Sequence, residues 1–179
     1  LPLNLDNNEQ LLAIQKLPFQ LTEKQSQAIN LINQLNKSNY RENMLLQGDV
    51  GSGKTIIALL TALPFITSGY QVAYMAPTEI LAQQIFDNLK TLITYPNIFL
   101  TLLKGSTKNK PIIYDKIKKN EINFVIGTHA IFQEKLIFYN LSYVIIDEQH
   151  RFGVKQRLLL AEKGINTNIL LMSATPIPR

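Results

Sequence analysis

Apolar residues along this chain recur in two rhythms that alternate from about residue 22 onward. From Thr22, read as a helix N-cap, Ala28, Ile29, Leu31, Ile32 and Leu35 repeat at helical spacing, and the polar run Asn36 to Asn43 closes the helix. Met44-Leu45-Leu46 then makes a short apolar strand, followed by a glycine-rich turn and a helix from Lys54 to about Ile66. The alternation continues with a strand at Gln71 to Ala76, a helix at Glu79 to Leu92, a strand at Ile98 to Leu103 and a short helix at Tyr114 to Lys119. Phe124 to Gly127, Tyr143 to Ile146 and Ile169 to Met172 read as further strands. Strands alternating with helices need crossover connections, so the expected class is α/β, a mainly parallel sheet with helices on both faces. Ahead of Thr22, polar Asn4 to Gln10 reads as a mobile lead-in, and Leu11, Leu12, Ile14 and Leu17 as a short amphipathic helix before Pro18. There is no internal repeat and no low-complexity tract.

Composition changes this picture only in part. A chain of 179 residues is long enough for one buried core covering roughly 70% of the unfolded surface. With 46% hydrophobic and 17% charged residues it has globular composition. The longest apolar stretch, Ile56 to Ile66, is interrupted by Thr61 and Pro64 and falls short of the ~20 residues of a bilayer span. No cysteine is present, which excludes disulfides, thiolate nucleophiles and Cys-ligated zinc, and leaves His129 and His150 as the imidazoles. The net charge of +5 favours a polyanion such as nucleic acid, a property shared with many basic chains that bind none. The first residue is Leu1 and no basic-then-apolar leader follows it, so the sequence reads as a piece of a longer chain.

Two segments carry chemistry. Gly48-Asp49-Val50-Gly51-Ser52-Gly53-Lys54-Thr55 matches G-x-x-x-x-G-K-[ST] throughout, between an apolar strand and a helix, which is the context the motif requires. Glycines let successive backbone N–H groups face a phosphate, and the new helix adds its positive N-terminal end. Lys54 then spans the β- and γ-phosphates of a nucleotide, and Thr55 offers its hydroxyl to Mg²⁺. The alternative is a glycine-rich αβ turn that binds nothing. Tyr143 to Ile146 would deliver Asp147 and Glu148 at a strand's carboxyl end, where open α/β sheets keep their ligand chemistry. Asp147 completes the metal site, and Glu148 orients and deprotonates the attacking water. Taken alone, an Asp-Glu pair after a strand also reads as two solvated loop carboxylates; each segment makes the other more informative. His150 is either a surface or structural imidazole or a sensor beside the carboxylates. Ser173 and Thr175 offer hydroxyls at the end of another strand, or form a turn.

Together these residues resemble the superfamily 2 helicases, in which such a loop, such a box and a Ser-Ala-Thr segment occur in this order. The words Gly48 to Thr55, Met75-Ala76-Pro77-Thr78-Glu79-Ile80-Leu81-Ala82, Gly127-Thr128-His129-Ala130, Ile145 to Val154 and Ala174 to Arg179 look like those of the RecG branch-migrating DNA helicases. The resemblance runs from about Leu17 to the last residue. Gln149 and Ser52 favour this group over the transcription-repair coupling motors, which usually show Asp-Glu-Glu-His. Ser173 and Lys104 are small departures, each standing where Thr is more usual.

The resemblance implies a first RecA-like, ATP-binding domain over 17–179, a lead-in over 1–16, and a second RecA-like domain and a DNA wedge domain lying outside this sequence. It implies that Gln25 reads the adenine edge, with Phe19 and Leu21 beside the base. Pro77, Thr78, Glu79, Gly105, Thr128 and His129 match segments that line the DNA track and hold phosphates without reading sequence; read without the family they are ordinary loop residues. Gln149, His150, Ser173 and Thr175 would couple nucleotide to DNA. ATP and Mg²⁺ are the implied cofactors. The implied partners are branched or duplex DNA and the second domain of the same chain, in a monomeric, cytoplasmic motor that uses no membrane. Arginines from the second domain are worth about 10³ to 10⁵ in rate, so this half of the motor alone should be nearly inactive. Two other functions fit the same motifs, a coupling-type translocase and a module that uses nucleotide only to switch DNA affinity. A small P-loop kinase would leave Asp147 to His150 and Ser173 to Thr175 without a role.

Overall fold

A computed structural model describes residues 4–38, 43–47, 53–93, 95–147 and 167–173. Two helices, α1 (Asn8–Gln15) and α2 (Glu23–Lys37), precede β1 (Asn43–Gln47), α3 (Gly53–Thr67), β2 (Gln71–Met75), α4 (Glu79–Leu92) and β3 (Leu100–Leu103). Then come α5 (Lys110–Lys118), β4 (Phe124–Gly127), a 3₁₀ turn over His129–Phe132, β5 (Leu141–Asp147) and β6 (Asn168–Ser173). The six strands form one sheet in the order β1-β6-β5-β2-β4-β3, and every pairing is parallel. The α/β class with helices on both faces is as the alternation predicts.

The central strands β2, β4 and β5 are largely apolar on both sides because both sides are covered. Val72 and Tyr74 of β2, Phe124 and Ile126 of β4, and Tyr143 and Ile145 of β5 face a core shared with α3 and with Ala82, Ile85 and Leu89 of α4. The alternate residues Ala73, Met75, Val125, Val144 and Ile146 face a second core closed by Ile117 of α5, Ile131, Leu136 and Phe138. Within the first core the Phe65 and Tyr143 rings stack at 4.6 Å, and the Tyr143 hydroxyl meets that of Thr61 at 3.0 Å. A buried phenol therefore keeps a hydrogen bond.

α3 is apolar around its whole circumference, and Lys54 through Ile66 are all buried between the sheet and a layer made by α1, α2 and α4. Pro64 lies inside it. A proline has no N–H for the carbonyl four residues back, here that of Leu60, and a buried carbonyl left open is costly. Gln10 of α1, only 2% exposed, fills the gap: its Nε2 donates to Leu60 O at 2.8 Å. The same amide exchanges two hydrogen bonds with Asn33 of α2, at 3.1 and 2.7 Å. One buried side chain thus joins three helices.

Gln10 corrects the reading of Asn4 to Gln10 as a mobile lead-in. Asn8 to Gln10 open α1, and both Leu5 and Gln10 are buried. Two boundaries also differ. α5 starts at Lys110, before the expected Tyr114, because Asn109 turns the chain at φ 61° and Pro111 occupies the first turn, where its missing N–H is harmless. β3 starts at Leu100 because Phe99 N is taken by the Asn123 side chain at 2.8 Å.

Gln10→Ala should lower the unfolding free energy by about 2–3 kcal/mol, since it strips partners from the buried Leu60 carbonyl and the half-buried Asn33 amide. Pro64→Ala restores an N–H to that carbonyl, so in a double-mutant cycle read by chemical denaturation the Gln10 effect should shrink by about 1 kcal/mol or more. Strictly additive losses would contradict this account.

Candidate functional site

Because the strands are parallel, every strand exit opens on the same edge, and the strand order divides that edge into two halves. β1, β6 and β5 make one half. The chain beyond β1 leads into the first turn of α3, where Lys54 and Thr55 follow Gly53 and are only 8% and 9% exposed. An ammonium is rarely so buried without a negative partner. Asp147 ends β5, opposite Met172 of β6, and Ser173 is the next residue on β6, opposite Gln47 of β1. Gly48, Asp49, Val50, Gly51, Ser52, Glu148, Gln149, His150 and Thr175 lie outside the described residues.

Asp147 is half-buried, and its carboxyl titrates above the ordinary aspartate range. Loss of hydration raises it most, and the Lys54 charge and a hydrogen bond from Tyr74 act in the opposite direction. The Tyr74 hydroxyl donates to Asp147 Oδ2 at 3.4 Å. Burial, and then the neighbouring carboxylate, push the Tyr74 phenol well above its ordinary value, so it stays a donor. Asp147 thus brings a partly dehydrated carboxylate into the field of the buried Lys54 ammonium, next to Thr55 in the first turn of α3.

β2, β4 and β3 make the other half. Pro77, Thr78 and Glu79 leave β2; the Thr78 hydroxyl caps α4 by accepting from Leu81 N at 3.2 Å. Thr128 and His129 leave β4, and Gly105 follows β3. Thr128 is buried, while Thr78, Glu79, Gly105 and His129 are exposed. These loops brace one another. The Glu79 carboxylate accepts from Ser106 N at 3.4 Å, Lys110 Nζ donates to Gly105 O at 2.7 Å, and Thr128 N donates to Leu103 O at 3.3 Å. The expected DNA-track residues therefore come together on adjacent loops, on a patch that presents backbone groups, a hydroxyl and lysine side chains.

The residues expected beside the base sit before α2. Phe19 and Leu21, with Ile14, Leu17, Pro18 and Ser26, line an open recess of about 610 Å³. Gln25 is not among the lining residues. It is the third residue of α2, where its Oε1 accepts from Thr22 N at 2.9 Å while Thr22 Oγ1 accepts from Gln25 N at 3.1 Å, a reciprocal cap. Half of its amide is thereby engaged by its own helix, a use that the expectation of a base-reading glutamine does not include.

Two residues of this edge escape the sequence motifs. Tyr74 passes for one more apolar strand position, although a phenol three residues before Pro77 in an otherwise aliphatic run is a visible signal. Gly127 stands in the motif only as the residue ahead of Thr128. A Cβ placed on it would run into Leu103 O, so only glycine allows β4 to pass that close to β3 just before both loops begin.

The profile of the DEAD/DEAH box helicases matches residues 22–179. The chain belongs to that family. As a DEAD/DEAH box helicase domain it is RecA-like in fold and nucleotide-binding in kind. It is 52% identical over 168 residues to the ATP-dependent DNA helicase RecG of Borreliella burgdorferi, covering 93% of this chain and 24% of that protein. To RecG of Aquifex aeolicus it is 50% identical over 180 residues, covering 98% and 23%. Among solved structures it superposes on RecG bound to a three-way DNA junction with a TM-score of 0.86 at 42% identity, covering 99% of this chain and 24% of that one. The DEAD-box helicase Mss116 bound to ssRNA and UDP-BeF gives a TM-score of 0.72 at 25% identity, covering 97% and 39%. The chain thus spans about a quarter of the length of the RecG proteins it matches.

Gly127→Ala forces a side chain against backbone and should cost about 1–3 kcal/mol of stability, the scale of an overpacked site. Thermal unfolding gives the loss, and amide exchange should show faster opening at residues 104–107 and 128–129 than in α3. Unchanged exchange in those loops would show that Gly127 does not set their spacing.

Proposed function

We propose that this chain is the ATP-binding half-motor of a RecG-type, ATP-dependent DNA helicase, which in its full-length protein remodels branched DNA such as forks and junctions. The observation that carries the reading is the burial of Lys54 and Thr55 at the start of α3, with their half of the sheet edge ending in the dehydrated carboxylate of Asp147. Lys54 neutralises β- and γ-phosphate oxygens, where charge builds as the γ-phosphoryl group departs. The amino end of α3 adds its positive end to the same region.

A Mg²⁺ ion fits this set of donors. One hydroxyl (Thr55) and one carboxylate (Asp147) are hard oxygen ligands, and this ion prefers such ligands in small number, completed by phosphate oxygens and water. Bound there, it would offset phosphate charge. Glu148 is the residue to orient and deprotonate the attacking water, and Gln149, His150, Ser173 and Thr175 are the residues to pass the nucleotide state to the DNA side.

DNA lies, in this reading, across Pro77 to Glu79, Gly105, Thr128 and His129, held through its backbone. Phe19 and Leu21 flank the adenine, and Gln25 approaches it with the half of its amide left free by the helix cap. A second RecA-like domain of the full-length protein closes the cleft and supplies arginines to the γ-phosphate, worth about 10³ to 10⁵ in rate.

Lys54→Ala in the full-length protein should cut ATP turnover on branched DNA by about 10² to 10³-fold, the scale of losing one preorganised charge-stabilising group. Nucleotide-free DNA binding should stay close to wild type. DNA-stimulated turnover equal in the two proteins would sink the proposal.

A further inference from the structure

We propose that Tyr74 is a positioning residue for Asp147, holding its carboxylate in the orientation that receives Mg²⁺; this rests on the nucleotide-site reading above. In the sheet Tyr74 of β2 lies opposite Ile145 of β5. Side chains two apart on a strand share a face, so Tyr143, Ile145 and Asp147 point the same way, and Tyr74 reaches diagonally along that face to Asp147. Its hydroxyl meets Oδ2 at 3.4 Å.

Three properties suit Tyr74 to holding a ligand in place rather than merely lying next to it. Tyr74 is only 1% exposed, packed in the same core as Tyr143, Ile145 and α3, so the hydroxyl cannot swing away as a surface donor would. The phenolic O–H is a donor matched to a carboxylate acceptor, and it is aimed at one oxygen of Asp147. Asp147 is the last residue of β5, and a donor on one carboxylate oxygen removes part of its side chain's rotational freedom. Such partners of metal ligands set ligand orientation and metal affinity.

β2 and β5 are also the two strands at which the halves of the edge meet. The bond therefore ties the nucleotide half to the strand that continues, through Ala76, into Pro77 to Glu79.

The test is binding of a non-hydrolysable fluorescent ATP analogue to the full-length protein, titrated with Mg²⁺, for wild type and Tyr74→Phe. The substitution removes one oxygen and keeps the buried ring. Tyr74→Phe should need about tenfold more Mg²⁺ for half-maximal binding, while analogue affinity and thermal stability in EDTA match wild type. The same Mg²⁺ requirement in both proteins overturns the inference and leaves the nucleotide-site reading intact. Affinity or stability lost equally in EDTA also overturns it, because the hydroxyl would then serve packing alone. Wild-type binding with no Mg²⁺ dependence would overturn the nucleotide-site reading, and this inference with it.

Discussion

A helix apolar on every side is stable only if everything around it is built to cover it, and α3 imposes that demand on this domain. The sheet supplies one wall, and α1, α2 and α4 supply the rest. Burial at one end places the Lys54 ammonium and the Thr55 hydroxyl where water is scarce, and burial toward the other end places Pro64 where its missing N–H cannot be replaced by solvent. Both ends create a polar need, and each is answered differently. A protein side chain, Gln10, closes the deficit at Leu60, whereas the Lys54 charge acts on the Asp147 carboxylate.

The parallel sheet converts this into a functional layout. Lys54 and Asp147 are far apart in sequence but share an edge because β1, β6 and β5 are neighbours, and the expected DNA-track residues share the adjoining stretch because β2, β4 and β3 are neighbours. The strand order does the sorting. Asp147 also shows how the edge is tuned. Dehydration works against its charge, and Lys54 and Tyr74 restore part of what dehydration removes.

Much of this layout is legible in the amino-acid sequence. α4 has the boundaries that its pattern predicts, because Thr78 caps it and its apolar residues keep a clean helical period. β4 is equally plain, since it is short, buried on both faces and wholly apolar up to Gly127. The phosphate-loop lysine and the strand-end aspartate can be paired from motif order alone, because the parallel architecture constrains where strand exits fall. What stays hidden is non-local. Gln10 reads as a polar residue in a polar stretch until Pro64, far along the chain, gives it a carbonyl to satisfy. Asn109 does not advertise its left-handed turn, so apolar spacing alone starts α5 too late. Gln25 has two plausible uses, a base edge and a helix cap, and sequence spacing does not weigh them. Tyr74 looks like one more apolar strand residue until β5 brings Asp147 within reach of its hydroxyl.

The Gln10 bond also bears on where the unit of folding begins. The helicase family profile matches from residue 22, yet the carbonyl opened by a proline inside the matched region is satisfied from residue 10. A boundary drawn by the family profile and one drawn by hydrogen-bond closure therefore differ by a whole helix. Any excision of this domain that respects only the first would expose an unsatisfied group in the very helix that presents Lys54, so α1 belongs to the motor as an integral brace rather than as a tether leading into it.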